Sequence, residues 1–118
     1  MWLLNRLLSL LKPNEGIEAI NISLEATSVE QLIEQGNRFE DAGNLVGALR
    51  CYDEAVQAAP KFARAYLNRG NVLQIQNRIS DAITAYRTAV SLQPNYAGAH
   101  LNLGNAYLRL RRHAEAAD

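Results

Sequence analysis

The sequence predicts an all-α fold, a solenoid of stacked helix–turn–helix units. Three observations predict it: a gapless internal repeat of 34 residues, apolar residues recurring at three- and four-residue steps, and no stretch that alternates with period two. The repeating segments are VEQLIEQGNRFEDAGNLVGALRCYDEAVQAAPKF (29–62), ARAYLNRGNVLQIQNRISDAITAYRTAVSLQPNY (63–96) and AGAHLNLGNAYLRLRRHAEAAD (97–118). Gly36, Gly70 and Gly104 share one column, and Ala48, Ala82 and Ala116 another. Ala55 with Ala89, Tyr52 with Tyr86, and Pro60 with Pro94 complete the set.

Each unit reads as two amphipathic helices. In the second, Tyr66, Leu67, Gly70 and Leu73, then Ile79, Ala82, Ile83, Tyr86, Ala89 and Val90, lie at helical spacing. Thr27-Ser28 followed by Glu30 and Gln31 is a capping-box start for the first helix. Ala42-Gly43-Asn44 and Gln76-Asn77-Arg78 form the turns within units, because Gly43 and Asn77 tolerate the left-handed conformation that ends a helix. Arg111 stands at that place in the third unit and makes its turn the weakest. Pro60 and Pro94 stop the second helices, since proline lacks the N–H donor and clashes with the preceding turn. Small residues at the eighth, twentieth and twenty-seventh places let helices approach closely, and aromatic residues at the eleventh and twenty-fourth fill the remaining space.

This pattern resembles the tetratricopeptide-repeat (TPR) family over residues 29 to 118. The resemblance implies a right-handed TPR solenoid with two full repeats, 29–62 and 63–96, and a partial third, 97–118. Gln35 and Arg69 stand at the seventh place, where the family prefers leucine, and His100 replaces the usual aromatic. The third unit ends at Asp118 inside its expected second helix. A solenoid end normally carries a polar cap, so a longer protein and an apolar, self-associating end are expected.

Residues 1–28 lie outside the repeat and read as an amphipathic helix with a linker. In MWLLNRLLSLLK, Leu3, Leu4, Leu7, Leu8, Leu10 and Leu11 cover a face of about 160° at ~100° per residue. A fully buried leucine is worth roughly 1.5–3 kcal/mol, so something covers that face. The solenoid itself, a second copy of the chain and a membrane surface are the three candidates. With two basic residues the segment is poorly suited to a membrane, and it is too short to span one. Leu3, Leu4, Leu7, Leu8 and Leu11 are accordingly the expected self-association residues.

Composition narrows the function. An apolar content of 48% with 20% charged residues fits one folded domain rather than a disordered chain. Twelve basic and twelve acidic residues balance, so global attraction to nucleic acid is absent. The charges are unevenly placed: residues 1–60 carry four basic and nine acidic groups, residues 61–118 eight and three. One cysteine, Cys51, rules out an intrachain disulfide and fits a reducing, cytoplasmic setting. No catalytic constellation is evident. His100 and His113 fall in columns occupied elsewhere by Leu32 and Tyr66, or Leu45 and Ile79, and are read as core or half-core residues. Two histidines on different helices do not make a metal site, and no phosphate-cradling glycine loop is present. The expectation is a non-enzyme with no cofactor and no metal.

The TPR resemblance implies that the first helices line a concave face. It places Ile33, Asn37, Asn68, Asn71, Asn102 and Asn105 inward, with Arg64, Leu67, Leu101, Gln74, Arg109, Glu30, Glu34 and Glu40 around them. Asparagines one repeat apart can pair with both groups of an extended peptide backbone. Asn68 and Asn102 match the asparagine ladder of O-GlcNAc-transferase-type TPRs, and Glu34 breaks it in the first unit. TPRs that clamp a chaperone's C-terminal carboxylate use five positions that fall here on Ile33, Asn37, Asn68, Gly98 and Asn102. Both lysine places are lost, which removes the charge-assisted partners. The expected function is a protein-interaction module that binds a protein or peptide through Asn37, Asn68, Asn71, Asn102, Asn105, Arg64, Leu67 and Leu101. Two other readings stand beside it: an assembly device that forms homo-oligomers, and the targeting arm of a glycosyltransferase or methyltransferase lying beyond Asp118.

Overall fold

A computed structural model describes Leu3, Arg6 and residues 28–117. Five helices follow one another: α1 (Val29–Asp41), α2 (Leu45–Ala58), α3 (Ala63–Ile75), α4 (Ile79–Leu92) and α5 (Ala97–Ala117). Among the described residues every regular element is a helix. Helices α1 and α2 form one antiparallel pair and α3 and α4 the next; α5 packs on α4. The chain is an all-α TPR-type solenoid, as the repeat implied.

Local chemistry sets each boundary. Ser28 and Gln31 form the capping box, with Ser28 N–H donating to Gln31 Oε1 at 2.9 Å and Gln31 N–H to Ser28 Oγ at 3.2 Å. Gly43 (φ 79°) and Asn77 (φ 63°) take the left-handed conformation at the intra-repeat turns. There the N–H groups of Gly43 and Asn44 reach back to Glu40 O and Phe39 O. Asn77 and Arg78 do the same to Gln74 O and Leu73 O, so both helices end in Schellman motifs. Helices α2 and α4 stop two residues before Pro60 and Pro94.

The third unit departs from the helix–turn–helix expectation. Helix α5 runs unbroken through the predicted turn to Ala117. Arg111 has neither the freedom of glycine nor the short polar side chain through which asparagine tolerates the left-handed conformation seen at Gly43 and Asn77. The following residues are good helix formers, and Arg111 Nε pairs with Glu115 Oε1 one turn on. His113 and Ala116 are consequently exposed rather than placed in a second-helix core. His100 is also exposed, and its Nε2 donates to Pro94 O at 2.7 Å. It keeps the bond that Tyr66 Oη makes to Pro60 O at 2.8 Å one repeat earlier.

The core lies between the helix pairs. Ala48, Ala55, Ala82 and Ala89 are fully buried, as the small-residue columns require. Tyr52 covers Gly36 and Tyr86 covers Gly70. A Cβ on Gly70 would stand 2.5 Å from Tyr86 Cε1, and Gly36 is more crowded still. Gly104 has nothing within 4 Å, because no second helix covers it. Cys51 is buried as a packing residue. Burial, and second the negative charge of Glu54, push its thiol pKa up, which keeps it protonated.

Candidate functional site

The first helices of successive repeats, α1, α3 and α5, bring their sixth- and ninth-place asparagines together. These are Asn37, Asn68, Asn71 and Asn102. Asn102 Nδ2 donates to Asn71 Oδ1 at 2.9 Å, and Asn68 Nδ2 approaches Asn37 Oδ1 at 3.5 Å. Each sixth-place asparagine thus reaches the ninth-place asparagine of the preceding repeat. The row is a chain of half-buried amides that links the repeats.

Two buried tyrosines aim this row. Tyr86, 1% exposed, donates its hydroxyl proton to Asn71 Oδ1 at 2.7 Å and accepts from Gln74 Nε2 at 3.3 Å. Tyr52, fully buried, donates to Asn37 Oδ1 at 2.6 Å and shares that proton with Glu40 Oε1 at 2.9 Å. Because the oxygens of Asn37 and Asn71 accept from the tyrosines and the next repeat's asparagines, their Nδ2 donors are left with no partner among the described residues. Burial raises the Tyr86 pKa to about 12, against the opposing pull of the Gln74 hydrogen bond and the Arg109 charge. Tyr52 is pushed higher still, first by burial and then by its hydrogen bond to Glu40. Both rings remain neutral donors at physiological pH. By sequence pattern alone Tyr52 and Tyr86 are space fillers between helices. The signal for more is the choice of Tyr over Phe at a fully buried place, where the hydroxyl needs a partner.

At the junction of the second and third repeats lies a cleft of about 240 Å³, lined by Asn71, Gln74, Asn102, Asn105 and Arg109 among others. Arg109 Nη1 donates to Gln74 O at 3.1 Å and to Gln74 Oε1 at 2.8 Å. Gln74 Nε2 reaches Asn102 O at 3.5 Å. Asn105 lines the cleft and is exposed.

The other expected groove residues sit elsewhere. Ile33 is 2% exposed, packed with Leu32, Ala55 and Ala65 between the first two repeats, and does not line the groove. Leu67, its counterpart, is half-buried against the core, near Gly98. Leu101 stands at the open end and is 64% exposed. Arg64 lies in a separate crevice of about 450 Å³ with Lys61, Leu92 and Tyr96. Leu3 is 68% exposed, while Leu4, Leu7, Leu8 and Leu11 lie outside the described residues. Among the described residues no helix is long and apolar enough to cross a membrane, and no three His, Cys, Asp or Glu side chains gather as metal ligands.

The stacked helix pairs, joined by the asparagine row, define a helix-pair solenoid. A family model described as TPR repeat matches residues 36–76 and 71–110, well over half of the sequence, and the chain belongs to that family. Among solved structures, the TPR2B domain of yeast Sti1 in its pHsp70 complex is similar. It is 24% identical, with a TM-score of 0.70, over 77% of this chain and 73% of that one. The first TPR of Spaghetti (RPAP3), bound to the HSP90 peptide SRMEEVD, is 26% identical, with a TM-score of 0.69, over 75% of this chain and 72% of its own. No curated protein matches the sequence.

Proposed function

We propose that this chain is a protein-interaction module that holds an extended peptide segment along its concave face. The observation that carries this reading is the oriented amide row. Asn37 and Asn71 keep Nδ2 donors, and Asn68 and Asn102 keep Oδ1 acceptors, unengaged by any described residue. Donors and acceptors at one-repeat intervals suit a peptide backbone, which offers both on every residue. Because the tyrosine hydroxyls fix the amides beforehand, little ordering entropy opposes binding. Peptide occupancy in the similar solved domains supports the same use of the fold. A carboxylate clamp is not part of the proposal, since Ile33 is buried and Gly98 has no side chain to supply a cation.

The test uses a phage-displayed library of random twelve-residue peptides panned on the full chain. Selected peptides should lose at least about tenfold in affinity against Asn68→Ala/Asn102→Ala, the loss of one to two polar contacts at ~1 kcal/mol each. Undiminished binding would end the proposal.

A second reading, self-assembly, is favoured by one observation. Gly104 is uncovered, and Tyr107 and Leu108 beside it are 46% and 47% exposed, where Tyr52 and Tyr86 seal the equivalent glycines. A helix from another copy would seal this face. Light scattering that gives a discrete oligomer, reduced to monomer by Tyr107→Glu with Leu108→Glu, supports it; a monomeric mass for the unaltered chain rejects it.

A further inference from the structure

We propose that the cleft at the second and third repeats recognises an acidic side chain, Asp or Glu, inside the bound segment, with Arg109 as its counter-charge. This rests on the concave-face reading above and names the partner's chemistry within it. Arg109 is half-buried, and two hydrogen bonds from Nη1 to Gln74 pin one corner of the guanidinium against α3. Its Nε and Nη2 donors have no described partner. The ion pairs among the described residues are Arg38–Glu34, Arg69–Asp53, Arg78–Asp81 and Arg111–Glu115, so Arg109 is matched with amides and no carboxylate.

The cleft around it contains no acidic residue. A pinned cation that no carboxylate of its cleft neutralises attracts an anionic group from outside. A guanidinium held in plane presents the fork that fits a carboxylate. Asn105 adds an amide donor beside it, and Ile75, 60% exposed, gives the stem of the incoming side chain an apolar shelf. The first repeat carries the reverse sign, and its Glu40 acts on Tyr86 at the edge of the cleft. Glu40 holds the twelfth place of the first repeat, where Gln74 stands in the second, and Glu34 holds the sixth. A bound segment is therefore oriented, its acidic residue over the third repeat. The charge read here belongs to a side chain rather than a chain terminus, so a free C-terminus is not required.

The experiment uses the same twelve-residue library, with every peptide fused to the coat protein through its C-terminus so that no terminal carboxylate is free. It is panned on the full chain and on Arg109→Gln, Arg109→Lys and Arg109→Glu. Peptides selected on the full chain should carry Asp or Glu at one fixed position. Replacing that residue by Asn or Gln, or Arg109 by Gln, should each weaken binding about tenfold, and the double change should cost no more than either single one. Arg109→Lys should keep the acidic preference and Arg109→Glu should reverse it toward Lys or Arg. Matching helical circular dichroism confirms that each variant is folded. Peptides that need Asn68 and Asn102 but show no acidic position, or that ignore Arg109→Gln, overturn this assignment and leave the groove reading intact. Failure to select peptides, or peptides indifferent to Asn68 and Asn102, rejects the groove reading and this assignment together.

Discussion

Replacing glycine by alanine at Gly70 and at Gly104 should change stability in opposite directions, although both occupy the eighth place of a first helix. In an unconstrained helix interior alanine is favoured over glycine by about 0.5–1 kcal/mol. At Gly104 the new Cβ meets nothing within 4 Å, so the whole gain should appear. At Gly70 it would stand 2.5 Å from Tyr86 Cε1 and 2.7 Å from Cδ1. Carbon atoms sit comfortably at about 3.5–4.0 Å, so the ring has to retreat by about 1 Å. It has nowhere to go, being 1% exposed and tied to Asn71 and Gln74 by its hydroxyl. Overpacking costs about 1–3 kcal/mol, and a disrupted tyrosine hydrogen bond adds about 1 kcal/mol. After the helix-propensity gain, Gly70→Ala should lose about 1–3 kcal/mol. Urea titrations followed by far-ultraviolet circular dichroism measure both variants. If Gly70→Ala proves as stabilising as Gly104→Ala, the close helix contact on which the fold is argued does not exist.

Other perturbations test separate parts of the account. Tyr52→Phe keeps the ring over Gly36 but removes the donor to Asn37 and Glu40, and should cost about 1–2 kcal/mol in the same titration. An unfolded tyrosine has a pKa near ~10, whereas Tyr86 in the fold is raised to about 12. A raised acid favours its neutral form in the fold, so its contribution is complete below about pH 10 and disappears as pH rises toward 12. Phenolate absorbance should accordingly show part of the tyrosine signal appearing only as helical dichroism is lost; full ionisation in a still-helical chain would contradict the buried network. Asn77 holds φ 63° at its turn. Asn77→Val should cost about 1–2 kcal/mol and Asn77→Gly should be neutral or stabilising, as read by thermal melts. Arg69→Ala removes an ion pair whose side chains are 35% and 43% exposed. It should cost no more than about 1 kcal/mol, diminishing with salt.

The parts of this structure legible in the sequence are those fixed by local chemistry. Ser28 with Gln31, Gly43, Asn77, Pro60 and Pro94 each act on backbone within a few residues, and every boundary they mark is observed. The third unit misled because repetition suggested a turn that its own residues do not encode: Arg111 replaces the Gly or Asn, and α5 continues. The same error placed His113 in a core that does not form. His100 was read from the column of Tyr66, yet what the column preserves is a hydrogen bond to the proline carbonyl, which an exposed imidazole also makes. The asparagine columns are plain in the sequence, but their bonds to one another join residues about thirty positions apart and depend on how the repeats stack. Ile33 went astray for the same reason. Ala65 of the next repeat is small enough for the first helices to close over it, and the side chain enters the core.

Contact between a partner and the asparagine amides is visible to nuclear magnetic resonance. The side-chain amide resonances of Asn68, Asn71 and Asn102 in a nitrogen-15 labelled chain, followed during titration with a library-selected peptide, test it directly. These three signals should shift in saturating fashion while backbone signals of the outer face of α2 and α4 stay in place. Saturation that moves the outer face and leaves the asparagine side chains unchanged would contradict it.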